Sequence, residues 1–356
     1  MIRNILFLNA GRRCELIRAF RETLNARGGG KIVASDIVTH APALHVADTF
    51  YILPPRDNPN AIPELIDLCR KEKIQLIIPT IDPDLVFLDT IRTQLQNELP
   101  DLHILLPPSH VVQIAANKIR TRAFFQEAGY PPPPAVDIHQ PEITFPIFVK
   151  PVAGSASQGI LKIDNRRQLQ LWLTTHNPQE YIIERYIPGE EYTVDLISDQ
   201  QASPLAAVCR RRLRVRGGEV VHARIEDLPE LRDIAFELAT KLQSTGPTTL
   251  QFRRPDPNTF IPIEINARMG GGLPLTIASG YNWPAMILQT LENPRQRLTP
   301  PAPRYLTMTM SRYDQSIFTS DTAPDSPRLI VRPSRKIPAV KAVIVDLDDT
   351  LYPEVD

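Results

Sequence analysis

The sequence predicts an α/β fold, in which a helix-covered parallel sheet is followed by a second unit that contains strand hairpins. Over residues 1–110, short apolar runs alternate with helix-length segments of polar periodicity, which is typical of a parallel sheet. Two later pairs of apolar runs are joined by the turn sequences Gly217-Gly218 and Pro255-Asp256-Pro257-Asn258. Between the two parts, Pro131–Pro134 forms a stiff connector that cannot continue a helix.

The first unit, residues 1–110, is expected to be a Rossmann-like domain with helices over 12–27, 61–73 and 83–98. Its predicted strands are Ile5–Leu8, Ile32–Ala34, Phe50–Leu53, Leu76–Pro79 and Ile104–Leu106. The first turn contains the single glycine Gly11, whereas a dinucleotide-binding loop needs G-x-G-x-x-G. The sequence therefore argues against NAD binding, although Asp36 ends the second predicted strand.

The second unit begins with a helix over 111–130 that carries Asn117 and Lys118, and another helix is predicted over 227–244. Its predicted strands are Phe145–Pro151, Gly159–Ile163, Tyr181–Arg185, Glu191–Ile197, Arg210–Arg216, Glu219–Ala223, Thr248–Arg253, Ile261–Asn266 and Tyr305–Met310. The hairpin of Thr248–Arg253 with Ile261–Asn266 places Gln251 roughly opposite Glu264.

Composition limits the possible classes of protein. Forty basic residues balance forty acidic ones, so no overall field draws the chain to nucleic acid or to an anionic membrane. Cys14, Cys69 and Cys209 are far apart and form no C-x-x-C pair, which fits a reducing compartment. There is neither a signal-peptide core nor a run of eighteen apolar residues. We therefore expect a cytoplasmic protein.

The most informative segment is Glu264-Ile265-Asn266-Ala267-Arg268. A strand repeats its facing every second residue, so Glu264, Asn266 and Arg268 share one face. A carboxylate and an amide oxygen suit magnesium, and an arginine can clamp a phosphoryl oxygen. The alternative is a solvated strand face, but such a face does not need Gly270–Gly272 directly after it, which allow close approach of another group.

A small-residue loop follows Lys150-Pro151 and indicates a flap over phosphates. Its candidate phosphate-contacting residues are Gly154, Ser155, Ser157 and Gly159. The loop is not a Walker motif, because Ile160-Leu161 stands where Lys-Ser or Lys-Thr is required. The positive charge must then come from Lys150 and Lys118, of which Lys118 could equally be an exposed helix lysine.

Two further segments offer polar groups. Glu184-Arg185-Tyr186-Ile187 is typical of a hinge whose backbone can pair with an adenine edge, and Glu191 could accept bonds from ribose hydroxyls, although either glutamate could be solvated. In the predicted strand 210–216, every second residue is arginine, so four guanidinium groups share a face: Arg210, Arg212, Arg214 and Arg216. They could bind a substrate anion, with Arg214 as the main contact, or they could protect a solvated edge strand.

The order of these motifs resembles the ATP-grasp ligases over about residues 1–312. The resemblance rests on Lys118, Phe145–Pro151 with its flap, Ile183–Glu191, Gln251 and Ile263–Arg268. Within that superfamily, the first turn Asn9–Arg13 and the segment Ile78–Asp84 look most like carbamoyl-phosphate-synthase-like single-chain proteins. The resemblance implies a Rossmann-like pre-ATP-grasp domain at 1–110 and a two-lobed α+β ATP-grasp domain at 111–312, with a small lid lobe at about 120–185.

The resemblance also implies roles for individual residues. Lys118 and Lys150 would contact ATP phosphates under the flap, and Glu184 with Arg185, Tyr186 and Ile187 would frame adenine. Glu191 would hold the ribose. The magnesium ligands would be Gln251, Glu264 and Asn266, and the catalytic residue Arg268 would face the transferring phosphoryl group. Arg214, which the alternation of the arginine strand indicates, is the second expected catalytic residue.

The implied activity is ATP- and Mg²⁺-dependent ligation, in which a small carboxylate becomes an acylphosphate that an amine or other nucleophile attacks. Phosphoryl transfer mainly needs positioning and cations, which this set of residues offers. Carbamoyl phosphate synthases have two ATP-grasp halves, and the motifs of only one half occur in this sequence. Carbamoyl phosphate synthesis by this chain alone is therefore not expected. The expected partners are small molecules, with a homodimer left open, and the alternative is an ATP-binding sensor or scaffold without turnover.

The C-terminal part has a different character. Residues 313–338 are proline-rich and are expected to be a linker or tail. At 339–356, Asp346-Leu347-Asp348-Asp349-Thr350-Leu351 resembles the first motif of haloacid-dehalogenase-like phosphatases. Because the later motifs of such a phosphatase are missing, no hydrolase activity is expected from this fragment, and phosphatase activity from a fused domain remains an alternative.

Overall fold

The N-terminal part folds as a five-stranded parallel sheet, as expected. The computed structural model describes residues 1–152, 154, 159–296, 298–299 and 304–319. The strands of this sheet are β1 Asn4–Leu8, β2 Lys31–Asp36, β3 Thr49–Ile52, β4 Leu76–Pro79 and β5 His103–Ile104. Their order is β3-β2-β1-β4-β5, so the direction of winding reverses between β1 and β4. Ligands of open parallel sheets bind at the carboxyl ends of the strands where the order reverses.

Ten α-helices lie within the described ranges. They are α1 Cys14–Ala26, α2 Ala61–Lys71, α3 Asp82–Thr90, α4 Arg92–Glu98, α5 Ser109–Ala116, α6 Lys118–Glu127, α7 Arg166–Leu173, α8 Pro229–Leu242, α9 Leu273–Ala278 and α10 Trp283–Glu292. None of these helices is long and apolar enough to cross a membrane. The cysteines Cys14, Cys69 and Cys209 are all free.

A small antiparallel sheet, the lid sheet, lies in the segment that is expected to form the lid lobe. Its strands are β6 Ile147–Pro151, β7 Leu161–Ile163 and β8 Tyr181–Arg185, in the order β7-β6-β8. Helix α7 packs on it through Leu169 and Trp172. These two residues, together with Ile147, Val149, Ile163 and Ile183, form a separate hydrophobic cluster. The lid therefore has a core of its own.

The third sheet is antiparallel and has six strands. They are β9 Glu190–Ser198, β10 Pro204–Arg216, β11 Glu219–Ile225, β12 Gly246–Asp256, β13 Thr259–Asn266 and β14 Met308–Ser311, in the order β13-β12-β9-β10-β11-β14. The turn between β10 and β11 is Gly217-Gly218, both with positive φ, which a tight hairpin turn needs. The predicted hairpin and its two-glycine turn are confirmed.

Two large hydrophobic clusters join the N-terminal sheet to the six-stranded sheet. One contains Leu6 of β1 together with Val194 of β9, and the other contains Phe7 of β1 together with Ile197 of β9 and Trp283 of α10. Residues 1–315 accordingly form one compact unit. The domain boundary near residue 110 stays a prediction.

Two expected helices are divided in the structure. The predicted helix over 83–98 is broken at Ile91 into α3 and α4, and the predicted helix over 111–130 is broken at Asn117 into α5 and α6. Asn117 adopts an extended conformation, and its side chain accepts hydrogen bonds from the N–H groups of Ile119 and Arg120. An asparagine that caps in this way begins a new helix rather than continuing an old one. The C-terminal motif Asp346–Leu351 lies outside the described residues.

Candidate functional site

A cleft of about 430 Å³ collects most of the residues that the sequence analysis selected. The predicted residues that line it are Lys118, Lys150, Glu184, Arg185, Tyr186, Ile187, Glu191, Gln251, Glu264, Asn266 and Arg268. They come from the start of α6, from the lid sheet, from the segment between β8 and β9, from the start of β9, from β12 and β13, and from the segment directly after β13. Residues far apart in sequence thus share one concave site.

Lys150 is held in place by a buried ion pair. It lies on β6, its side chain is 9% exposed, and its Nζ is 2.5 Å from Glu184 Oε1. The other oxygen of Glu184 accepts a hydrogen bond from Arg122 Nη1 at 2.7 Å. The Glu184 side chain therefore orients Lys150 and is engaged by two cations. Any part of Glu184 that contacts adenine would have to be its backbone, since these cations occupy its carboxylate.

Lys118 begins helix α6 and reaches the flap. Its Nζ donates a hydrogen bond to the carbonyl of Gly154 at 3.1 Å. Burial lowers the pKa of Lys118, and the negative charge of Glu264 partly offsets this shift. Gly154 and Gly159 are not among the residues that line the cleft, and Ser155 and Ser157 lie outside the described residues. Phosphate contacts by the flap stay a prediction.

The segment between β8 and β9 forms one wall of the cleft. The carbonyl of Ile187 accepts a hydrogen bond from Arg253 Nε at 3.0 Å, and the N–H of Tyr186 donates to Pro146 at 3.2 Å. Among the described residues, the N–H of Ile187 has no hydrogen-bond partner. The Glu191 carboxylate lies between two guanidinium groups, 3.2 Å from Arg212 and 3.5 Å from Arg253.

The expected metal-binding side chains lie on two paired strands. Gln251 of β12 is directly opposite Glu264 of β13, and Asn266 follows Glu264 on the same strand. Loss of solvent raises the pKa of Glu264, and the nearby charge of Asp82 raises it further. The cations around Glu264 are already engaged elsewhere: Lys118 with Gly154, Lys150 with Glu184 and Arg268 with Asp82.

Oxygen donors with uncompensated negative charge fit a small divalent cation. One carboxylate and two amide oxygens suit Mg²⁺, which commonly takes its remaining ligands from waters and phosphates. Within the described ranges there is no cluster of three His, Cys, Asp or Glu side chains. A cation held by Gln251, Glu264 and Asn266 would therefore depend on oxygens of a bound phosphate.

Arg268 forms an ion pair across the molecule. Its Nη2 lies 2.6 Å from Asp82 Oδ2 and donates a second hydrogen bond to Asn266 Oδ1 at 3.1 Å. Asp82 begins helix α3 directly after β4, where the winding of the parallel sheet reverses. The sequence analysis did not select Asp82 as a site residue, although the position of ligands at such reversals could have indicated it.

The structure places Arg212, rather than Arg214, in the cleft. The pairing of β10 with β11 is irregular between Arg212 and Arg214 and again between Arg214 and Val215. This bulge ends the strict alternation on which a shared face for 210, 212, 214 and 216 depended. Arg210 and Arg212 line the cleft, whereas Arg214 is exposed and does not. A catalytic role for Arg214 stays a prediction.

Two more arginines approach the glycine segment after Arg268. A Cβ atom on Gly271 would lie 2.6 Å from Arg13 Nη1, and one on Gly272 would lie 2.1 Å from Arg210 Nη1. The expectation that Gly270–Gly272 permit close approach thus holds, and the approaching groups are guanidiniums. The sequence analysis missed Arg13 as a site residue because nothing in its local sequence distinguishes it from Arg12.

Three family models match the chain in succession. They are described as "PylC-like, N-terminal domain" over residues 5–99, "D-ala D-ala ligase C-terminus" over residues 133–215, and "ATP-grasp in the biosynthetic pathway with Ter operon" over residues 177–312. A biotin carboxylase from Campylobacter jejuni, solved as a β,γ-ATP complex, superposes with a TM-score of 0.66 at 18% identity, covering 84% of this chain and 72% of that one. The fold and the order of the motifs define an ATP-grasp protein.

Curated relatives agree with this assignment. The D-alanine–D-alanine ligase of Alcanivorax borkumensis is 32% identical over 91 residues, which is 24% of this chain and 30% of that protein. A carbamoyl-phosphate synthase of Methanobrevibacter smithii is 22% identical over 256 residues, which is 66% of this chain and 67% of that protein. The chain thus spans less than a third of the first relative, and the models and relatives that match it are those of ATP-grasp ligases and synthases.

Proposed function

We propose that the protein is an ATP- and Mg²⁺-dependent ligase that activates a small carboxylate as an acylphosphate for attack by an amine or another nucleophile. The observation that carries this proposal is the meeting of Lys118, Lys150, Glu264, Asn266 and Arg268 in one cleft. Two lysines, a set of hard oxygen ligands and an arginine are what transfer of a phosphoryl group requires.

The nucleotide would lie between the lid sheet and the six-stranded sheet. Lys118 and Lys150 would meet its phosphates, each attraction amounting to about 4 kcal/mol at an effective dielectric near 20, before desolvation. The N–H of Ile187, which has no partner within the described chain, is placed to donate to an adenine nitrogen. Glu191 offers its carboxylate to the ribose hydroxyls between Arg212 and Arg253.

The metal residues and Arg268 would act on the transferring group. When bound by Gln251, Glu264 and Asn266, Mg²⁺ would neutralise charge on the phosphates. Arg268, held by Asp82 and Asn266, would present its guanidinium to the phosphoryl oxygens without having to reorganise. The substrate carboxylate would attack the terminal phosphorus, ADP would leave, and the nucleophile would then displace phosphate from the acylphosphate.

The names of the relatives support this class of reaction. D-alanine–D-alanine ligase joins two amino acids, and a model of its C-terminal domain matches residues 133–215. No observation within the described residues favours a sensor without turnover over an enzyme. A cytoplasmic location is also part of the proposal, supported by the three free cysteines. So is association into a homodimer, which light scattering would test.

The first test is calorimetric titration of ATP with Mg²⁺ into the wild type, Lys150→Ala and Lys241→Ala. Lys241 is a half-exposed lysine of α8 outside the cleft, so it controls for loss of charge. We expect Lys150→Ala to weaken ATP binding at least tenfold and Lys241→Ala to leave it unchanged. Unchanged binding in Lys150→Ala would remove the phosphate assignment.

The second test measures ADP release across a panel of carboxylates and amines. We expect release to require one carboxylate and one nucleophile together, and to fall at least 100-fold in Arg268→Ala while ATP still binds. Tight ATP binding without ADP release for any pair would favour a sensor or scaffold instead.

A further inference from the structure

We propose that the cleft contains an anion-binding subsite, formed by Arg13 and Arg210 over Gly271 and Gly272, that holds a second carboxylate of the substrate. This inference rests on the proposed ligase function. It adds the class of substrate, which is a dicarboxylic acid, with or without an amino group. One carboxylate would react at Arg268 and the other would serve as an anchor.

Arg210 carries a buried donor that lacks a partner. The residue is 1% exposed, and Asp195 accepts hydrogen bonds from its Nε at 2.7 Å and its Nη2 at 2.8 Å. Thr276 donates to the same carboxylate at 2.5 Å, which fixes the pair further. The remaining nitrogen, Nη1, is buried and has no hydrogen-bond partner among the described residues, yet Arg210 lines the cleft. A buried unsatisfied donor is costly, and an acceptor on a ligand would satisfy it.

Arg13 has a carboxylate nearby that does not come within hydrogen-bond range. Its Nη1 lies 3.6 Å from Glu219 Oε1, and Arg13 lines the cleft. Burial lowers the pKa of Arg13 and the positive charges of Arg268 and Arg312 also lower it, whereas Glu219 and Asp82 act in the opposite direction. An anion placed beside Arg13 would relieve both the loss of solvent and the repulsion.

The protein supplies only part of the negative charge at this end of the cleft. Glu219 is the carboxylate beside Arg13, and it is shared with Arg12 at 3.1 Å and Arg312 at 3.7 Å. Arg312 also lies 3.4 Å from Glu15 and donates a hydrogen bond to the carbonyl of Gly271 at 2.5 Å, so this carbonyl is already occupied. Two carboxylates among three guanidiniums leave a positive surplus.

Gly271 and Gly272 leave room for the two guanidiniums. Nη1 of Arg13 lies where a Cβ of Gly271 would clash, and Nη1 of Arg210 lies where a Cβ of Gly272 would clash. Both arginines line the same cleft beside these adjacent glycines. A guanidinium can donate to the oxygens of a carboxylate.

The anion at this subsite is better assigned to an anchoring group than to the reacting one. Arg268 and the metal-binding side chains already provide for the carboxylate that is phosphorylated. A carboxylate held by two guanidiniums is a poor nucleophile, because its charge is withdrawn by the hydrogen bonds. Binding that is equal in the ground and transition states lowers KM without changing kcat, which is what an anchor provides.

The test compares dicarboxylic acids with their ω-amides as ligands. Succinate, glutarate, aspartate and glutamate are titrated against succinamate, glutaramate, asparagine and glutamine, by calorimetry, with and without β,γ-imido-ATP and Mg²⁺. At least one dicarboxylic acid should bind about 30-fold more tightly than its amide. Arg13→Ala should reduce this preference at least tenfold, and Arg12→Ala should retain it, since Arg12 has the same charge but lies outside the cleft.

A second variant addresses Arg210, whose replacement would leave the buried carboxylate of Asp195 without its cation and so endanger folding. Gly272→Ala keeps the arginine and places a Cβ against its Nη1, so it should also reduce the preference while thermal unfolding confirms a folded protein. With a reactive dicarboxylic acid, Arg13→Ala should raise KM and leave kcat within about threefold.

The outcomes separate this inference from the proposed function. If no dicarboxylic acid is preferred over its amide, or if Arg12→Ala and Arg13→Ala behave alike, the subsite assignment is wrong, even where the nucleotide analogue binds. If the analogue fails to bind the wild type, the ligase proposal fails first, and the titrations without nucleotide still report whether the arginines bind a dicarboxylic acid.

Discussion

At the scale of single residues, Glu184 determines where Lys150 points. Its buried carboxylate contacts both Lys150 and Arg122, so removing the charge leaves two cations without compensation. We expect Glu184→Gln to lower the free energy of unfolding by about 3 kcal/mol, because breaking a buried ion pair leaves a desolvated charge. Urea denaturation measures the change, and ATP binding should weaken as well because Lys150 loses its position.

A double-mutant cycle with Lys150→Met checks that the effect belongs to the pair. The matched control is the exposed pair of Lys241 and Glu237, which should show much weaker coupling. Equal coupling in the two pairs would mean that burial does not strengthen the Glu184 contact.

Asp84 should make stability depend on pH. Burial raises its pKa to about 6, against the opposing effects of Arg56 and Asn9, and the charge of Asp36 contributes in the same direction as burial. A carboxyl group with a raised pKa binds protons more tightly in the folded state than in the unfolded state. Asp84 therefore contributes its full share to the free energy of unfolding below pH 3.8, and this contribution is lost as the pH rises through about 6.

The corresponding prediction concerns Asp84→Asn, which stays neutral at every pH. Between pH 4 and pH 7, the wild type should lose about 2 kcal/mol of unfolding free energy relative to the variant. Denaturant titrations at five pH values measure this difference. A difference that is independent of pH would show that Asp84 titrates in the same way in both states.

Local sequence patterns predicted one part of the site and missed another. The residues Gln251, Glu264 and Asn266 follow from the period of two along a strand and from one hairpin, and the structure pairs Gln251 with Glu264. By contrast, Asp82 meets Arg268 across 186 positions of sequence. A contact of that kind depends on how the sheets pack against one another, which no local pattern encodes.

At the scale of elements, the bulge in β10 decides which arginine faces the cleft. Arg212 contacts Glu191, the expected ribose ligand, whereas Arg214 points outside. We expect Arg212→Ala to weaken ATP binding about fivefold, since it releases Glu191, and Arg214→Ala to leave it unchanged. Calorimetry on both variants is the measurement. Weaker binding in both variants would instead agree with the unbroken alternation that the sequence predicts, in which Arg212 and Arg214 share a face.

The helices show the same limit of sequence patterns. The sequence predicts one helix over 111–130, yet Asn117 stops α5 and caps α6. The break matters for the site, because it puts Lys118 at the first turn of α6, next to the flap carbonyl of Gly154. A side-chain cap was available as a signal, since asparagine is among the preferred N-cap residues.

At the scale of the whole molecule, the lid sheet has its own hydrophobic cluster, whereas the other two sheets share their clusters. The two large hydrophobic clusters contain residues of both the parallel and the six-stranded sheet, whereas the lid cluster contains residues of the lid lobe alone. A nucleotide that bridges Lys150 of the lid and Glu264 of the six-stranded sheet would therefore connect two cores. Closure of the lid would be driven by the ligand.

The two tryptophans report on these cores separately. Trp172 lies in the lid cluster, and Trp283 lies in a cluster shared by the other two sheets. In urea, fluorescence of Trp172 in a Trp283→Phe background should change at a lower concentration than fluorescence of Trp283 in a Trp172→Phe background. The reason is that the smaller cluster buries less apolar surface.

Saturating ATP analogue with Mg²⁺ should move the Trp172 transition to a higher urea concentration by more than the Trp283 transition, because the ligand binds only when the lid is folded. Coincident transitions with and without ligand would mean that the lid and the remainder unfold as one cooperative unit.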